Sequence, residues 1–159
     1  MDKKISNIVI ENARIIFRNF SGDEKKYNPR GKRNFCVVIP DAKTAKALAA
    51  DGWNIKTLRP RDPEEDETPY LQVAVAYNMY PPNITLITSK GKKTKLDEDM
   101  VSMLDSAEIK NVDLEIRPYI WTANDKSGVK AYVKNMYVTI EEDALAAKYS
   151  DLDDENLPF

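Results

Sequence analysis

The chain predicts a mainly β domain of about five strands and two short helices, followed by a disordered acidic tail. Three observations carry this. Apolar and polar residues alternate in several separate strand-length segments, these segments are bounded by loops containing Pro and Gly, and the last segment changes the parity of its apolar residues halfway along. A strand whose buried face changes must bulge or bend, and one bent strand serving both halves of a sheet is a device of small closed barrels.

Residues 5–20 are rich in Ile, Val and Phe. Ala13, Ile15 and Phe17 alternate there with Arg14, Ile16 and Arg18, which reads as one long or bent strand. Residues 21–32 contain Gly22, Pro29 and Gly31 and form a loop, and residues 33–39 give a second strand ended by Pro40. Asp41 is placed to cap a helix over residues 42–50, with Gly52 where a left-handed C-terminal cap is expected. Residues 54–68, with two Pro and five acids between Asp62 and Glu67, read as an exposed loop. Residues 70–77 make a third strand, whose Leu71, Val73, Val75 and Tyr77 share a face, and Pro81-Pro82 separates it from the apolar run 84–87. Thr94 and Asp97 have capping-box spacing, and Leu96, Met100, Val101 and Leu104 give a helix over about 96–105 an apolar stripe.

In the fourth strand Val112, Leu114 and Ile116 face inward, opposite Asp113, Glu115, Arg117, Tyr119 and Trp121. Residues 124–128 supply a hairpin turn. The last strand spans 129–140; Val129, Ala131 and Val133 have one parity and Met136, Val138 and Ile140 the other, so a bulge is needed near Asn135. This pattern is compatible with the five-stranded Greek-key barrel of oligonucleotide/oligosaccharide-binding (OB) domains. Periodicity alone is as compatible with a generic α+β sheet domain.

The 159 residues suffice for one domain, assigned to residues 1–142, plus a tail over 143–159. Net charge is −2, but residues 1–140 hold 23 Lys+Arg against 19 Asp+Glu, net +4, whereas residues 141–159 hold one Lys against seven acids, net −6. A basic body with an acidic tail suits a polyanion binder whose tail competes for the same surface. The chain has no histidine, which removes the commonest general base and zinc ligand. Cys36 stands alone in an apolar run and reads as a buried thiol. No signal peptide or membrane span is visible, so the cytoplasm is the expected compartment, with no cofactor and no metal.

Seven cations, Arg14, Arg18, Lys25, Lys26, Arg30, Lys32 and Arg33, cluster in residues 14–35 against two acids, interleaved with Phe17, Phe20, Tyr27 and Phe35. Cations beside aromatic rings suit single-stranded nucleic acid, whose phosphates need positive charge and whose unpaired bases stack on rings. Phe17 and Phe35 are read as core, and Phe20 and Tyr27, at or beyond the strand end, as contact candidates. A second basic loop carries Lys90, Lys92, Lys93 and Lys95 around Gly91; its glycine spacing is not that of a Walker loop. The outward set Arg117, Tyr119 and Trp121, with Lys130, Tyr132 and Lys134 on the following strand, is the best candidate platform. The acids at 62–67 and 97–99 would be the ligands of a small metal-dependent nuclease. They are consecutive in a loop and at a helix start, where solvation and the helix dipole already explain them.

The chain ends in Asp151, Asp153, Asp154 and Glu155 followed by Leu157, Pro158 and Phe159. An acidic end kept for solubility is one explanation. The tip also resembles the end of bacterial single-stranded DNA-binding proteins, where acids closed by Pro-Phe dock replication and repair enzymes. Together with residues 8–20, 27–35 and 70–77, it makes the whole chain similar to bacteriophage-encoded single-stranded DNA-binding proteins. The resemblance implies an OB barrel that coats single-stranded DNA during phage replication or recombination, without catalysis, and recruits partner proteins through its tip. The tail is shorter than the long linkers of bacterial relatives, which leaves a monomer or dimer open beside a tetramer. A phage structural or adaptor protein without DNA binding is the alternative, and the nuclease a third.

Overall fold

The computed structural model describes residues 5–59, 64, 67–78, 81–88 and 90–141. The strands are β1 (Ile8–Ile10), β2 (Ile15–Asn19), β3 (Arg33–Val38), β4 (Ile55–Leu58), β5 (Thr68–Val75), β6 (Asn83–Ile87), β7 (Lys93–Leu96), β8 (Ile109–Ala123) and β9 (Lys126–Ile140). One α-helix, α1 (Ala42–Asp51), and one 3₁₀ turn (Val101–Asp105) complete the described elements.

The sheet runs in the order β1-β8-β9-β5-β3-β2. Its two outer members are halves of one stretch of chain, as the bent first strand predicted. Between them the Ala13 amide donates to the Val112 carbonyl at 2.7 Å and the Val38 amide to the Arg14 carbonyl at 2.9 Å. Residues 11–14 thus carry the chain from the β8 side to the β3 side, and the OB-like barrel is bridged here without a continuous ladder. All pairs along this path are antiparallel except β5 with β9, which is parallel. The five predicted strands are therefore β1/β2, β3, β5, β8 and β9, in Greek-key order. β4 pairs with β5, and the β6–β7 hairpin adds to the free edge of β9.

The predicted bulge is present at Lys134. Glu115 pairs with Asn135 and Ile116 with Val133, so Lys134 has no partner in the ladder. Val129, Ala131 and Val133 before it and Met136 and Val138 after it are all buried. The helix is capped as its sequence predicts: the Asp41 side chain accepts from the Thr44 amide at 2.6 Å, and Gly52 takes φ 107°. Leu71, Val73 and Val75 are buried on one face of β5.

Four expectations change. The second helix is replaced by β7 and the 3₁₀ turn, because Thr94 pairs with Leu86 in the β6–β7 ladder and Asp97 instead accepts from the amides of Asp99 and Met100 at 3.0 Å. Residues 54–68 are not all loop: Ile55 packs against the core and its segment pairs with the start of β5. The hairpin turn is the two-residue Asn124-Asp125, both at positive φ, which leaves Gly128 inside β9. Phe17 and Phe20 exchange roles. Phe20 is fully buried and stacked on Phe35 with centroids 5.1 Å apart, whereas Phe17 is 59% exposed. The cause is a register shift between Ile16 and Asn19 that inverts the alternation read from the sequence.

Asp105 fixes the start of the basic loop to the 3₁₀ turn. Its carboxylate accepts from the Phe20 amide at 2.6 Å, the Ser21 amide at 3.0 Å and the Ser21 hydroxyl. Asp105→Ala leaves two part-buried amides without their acceptor, so chemical denaturation should show a loss of about 1–3 kcal/mol. An unchanged denaturation midpoint would show that this anchor is dispensable.

Candidate nucleic-acid interface

The alternation that buries Phe35, Val37, Leu71 and Val73 turns Asn34, Cys36, Gln72 and Ala74 to the outer face of β3 and β5. Two connections rise beside this face, the loop between β2 and β3 and the β8–β9 hairpin, and together they enclose a cleft of about 710 Å³. The loop contributes Tyr27, Asn28, Pro29 and Lys32, the sheet Asn34, Gln72 and Ala74, and the hairpin Trp121, Gly128 and Lys130. The face of the second and third barrel strands, flanked by these two connections, is where OB barrels hold oligonucleotides.

The basic loop is built by asparagines. The Asn19 side chain bonds the Asp23 backbone in both directions, at 3.1 and 3.0 Å, and the Asn28 side chain donates to the carbonyls of Asp23, Pro29 and Lys32. Gly22 and Gly31 close the loop base, with the Gly31 amide donating to the Gly22 carbonyl at 2.8 Å. A Cβ on Gly22 would lie 3.2 Å from the Gly31 carbonyl carbon. On this frame Tyr27 is 89% exposed, with the Lys26 ammonium 5.4 Å from its ring centroid. Lys25, Arg30 and Lys32 are exposed on the same loop.

On the hairpin, Arg117 pairs with Tyr132, Tyr119 with Lys130, and Trp121 with Gly128, so all six lie on one face. Tyr132 is buried, unlike its expected place on the platform. Its ring has the Arg117 guanidinium at 5.4 Å, the Lys130 ammonium at 5.2 Å and the edge of Tyr119 at 6.1 Å. Cation–π attraction therefore makes Tyr132 a post that holds two cations at the surface. Tyr119 and Trp121 remain 43% and 40% exposed. The Trp121 indole lies over Gly128, where an added Cβ would sit 2.8 Å from Cζ2.

Other expected contacts are placed elsewhere. Phe20 is in the core. The Arg18 guanidinium donates to the Leu104 and Ala107 carbonyls at 2.8 Å each, and so closes one end of the barrel. Arg33 lines the cleft but pairs with Glu98 at 3.4 Å, and Lys134 pairs with Glu115 at 3.8 Å. Arg14 lies at the strand break beside a smaller cleft. Lys90, Lys92, Lys93 and Lys95 belong to the β6–β7 hairpin and do not line the main cleft. Trp53 is buried, yet lines the cleft just beyond the end of α1 as part of an apolar floor. Asp151, Asp153, Asp154, Glu155, Leu157, Pro158 and Phe159 lie outside the described residues, as do Asp62, Glu65 and Asp66. Among the described residues no cluster of three acidic or thiol side chains offers a metal site. Burial pushes the Cys36 thiol up to about 11, so it is protonated at neutral pH.

An OB-like barrel with a basic, aromatic cleft on the face where such barrels hold oligonucleotides fits the class of nucleic-acid-binding proteins. A family model described as "Putative phage ssDNA-binding domain" matches residues 1–157, and the chain belongs to this family of non-enzymatic single-stranded DNA-binding proteins. Three structures of the single-stranded DNA-binding protein from bacteriophage Enc34 share the fold. Its C-terminal truncation matches with a TM-score of 0.55 at 9% identity, over 86% of this chain and 87% of that one. Its complex with ssDNA gives 0.53 at 11% identity over 86% and 88%. A further structure of that protein gives 0.53 at 13% identity over 96% of each chain. No curated protein sequence matches the chain at a significant level.

Gly128→Ala should displace the Trp121 ring while leaving the ladder intact. The expected result is an unchanged circular dichroism spectrum with a shifted Trp121 emission maximum and weaker binding to oligo(dT). Emission and affinity both equal to those of the wild type would mean that the ring position does not depend on this glycine.

Proposed function

We propose that the protein coats single-stranded DNA during phage replication or recombination in the host cytoplasm, leading the strand through the cleft between the basic loop and the β8–β9 hairpin. The observation that carries this reading is the convergence of Tyr27, Trp121, Lys32 and Lys130 on the outer face of β3 and β5. Tyr27, Tyr119 and Trp121 offer rings for base stacking, and Lys25, Lys26, Arg30, Lys32, Arg117 and Lys130 offer charge to phosphates. Stacking is indifferent to base identity, so binding is sequence-tolerant. The ssDNA complex of the Enc34 protein, which shares this architecture, supports the reading.

Titration of tryptophan emission with oligo(dT) across a salt series tests it. The logarithm of the binding constant should fall with the logarithm of salt by about 0.7 per phosphate contacted. Trp121→Ala and Tyr119→Ala should each cost about 1–3 kcal/mol of affinity without unfolding the domain. Salt-independent binding, equal affinity for duplex, or magnesium-dependent cleavage of the oligonucleotide would contradict the reading.

We further propose that residues 143–159 act as a tethered competitor for the cleft and as a docking peptide for replication proteins. With random-coil statistics these 17 residues reach a root-mean-square distance of about 21–25 Å, and tethering raises their effective concentration to about the millimolar range. Deleting residues 151–159 should tighten oligo(dT) binding at low salt, with the gain shrinking as salt screens the charges. Deleting Phe159 alone should leave DNA affinity unchanged and abolish capture of replication proteins, since docking needs the aromatic ring. Equal affinity with and without residues 151–159 at every salt concentration would exclude competition.

A further inference from the structure

Phe17 is a bulky apolar residue, 59% exposed and held at φ 51°. That backbone region is strained for a large side chain and persists only where the surroundings impose it. They do so through the register shift in β2. With Phe17 and Arg18 accommodated between Ile16 and Asn19, Arg18 reaches the carbonyls of Leu104 and Ala107 and Phe17 stands on the outer face. Its ring meets Tyr70 edge to face, with centroids 6.0 Å apart and planes at 74°.

Tyr70 belongs to the outer face of β5 with Gln72 and Ala74, so it continues the cleft floor by two to four residues, or about 7–13 Å along the strand. It pairs with Val38 on one side and Lys56 on the other. The Val38 amide bonds the Arg14 carbonyl, which extends the β2–β3 pairing by one residue and brings Arg14 into the same row. Arg14, Val38, Tyr70 and Lys56 thus cross four strands, with a cation at each end and an aromatic pair beside the middle. Arg14 and Lys56 are exposed.

We propose that Phe17 and Tyr70 form a second base-stacking subsite, flanked by Arg14 and Lys56, through which the single strand continues after it leaves the cleft. The inference rests on the cleft reading above and extends its footprint. It identifies Arg14 as a phosphate contact at a site separate from the basic loop. Phe17 supplies an apolar ring with no polar edge, so the subsite takes any unpaired base.

The test is a length series of oligo(dT) covering the roughly 4 to 16 nucleotides that one OB barrel can span, titrated against the full chain and its variants. Phe17→Asn removes the ring and supplies a residue that tolerates left-handed backbone, so its thermal stability should equal or exceed the wild type. Its affinity should match the wild type for the shortest oligonucleotides and fall by about 5- to 150-fold for the longest, the equivalent of one lost base stack. Phe17→Tyr should retain the long-oligonucleotide affinity. Wild-type binding with no loss at any length in Phe17→Asn overturns the subsite and leaves the cleft standing. A uniform loss at all lengths places Phe17 inside the cleft path, against the proposal. A changed oligomeric state of Phe17→Asn without a length effect makes this face a protein interface instead. Absence of binding by the wild type at every length removes both readings.

Discussion

One strand carries both halves of this barrel. β9 pairs with β8 along one edge, while its other edge is divided between β5 at Val73–Ala74 and β6 over Asn83–Ile87. A regular strand cannot do this with a single buried face, because residues 129–133 and 136–138 point their apolar side chains with opposite parity. The bulge at Lys134 resolves the conflict. It forfeits about one ladder hydrogen bond, a net 0.5–1.5 kcal/mol, and in return Met136 and Val138 are fully buried, each contributing about 1.5–3 kcal/mol. Burial wins. Glu115 steadies the bulge by accepting from Asn135 at 2.8 Å and from Asn7 at 3.0 Å, and this bonding holds its carboxyl below the usual range.

The same constraint sets the face that carries the cleft. Because β9 keeps Val129, Ala131 and Val133 inward before the bulge, Lys130 and Tyr132 must face outward, opposite Tyr119 and Arg117. Tyr132 is then buried under its own neighbours rather than left to ligand. Its ring gathers two cations beside the cleft, a positive rim that would otherwise depend on flexible side chains. The second bulge, in β2, does for the opposite edge what Lys134 does for β9. It sends Arg18 to close the barrel end and Phe17 to the outer face.

Much of this was legible in the sequence. The parity change at residues 133–136 located the bulge, Asp41 and Gly52 bounded the helix, and the alternation in residues 112–117 sorted core from surface. What escaped has physical causes. The β2 register shift inverts the simple alternation at residues 17–20, so Phe17 and Phe20 were exchanged. Cross-strand company decides whether an outward aromatic is free, and Tyr132 lost its freedom to Arg117, Lys130 and Tyr119, partners that periodicity along one strand does not reveal. Proximity in sequence groups Arg18 and Arg33 with the loop cations. Long-range acceptors, the carbonyls of residues 104 and 107 and the Glu98 carboxylate, engage them instead. β4 and β7 are short edge additions whose polar residues carry no strong alternation.

The central claim, that single-stranded DNA lies on the outer face of β3 and β5 between the basic loop and the β8–β9 hairpin, is tested most directly by mapping backbone amide shifts in ¹⁵N-labelled protein during titration with oligo(dT). The largest changes should fall at residues 27–34, 72–74, 121 and 128–130, with the β6–β7 hairpin and the outward residues of β1 unmoved. Changes concentrated on the β6–β7 lysines, with the cleft residues silent, would contradict it.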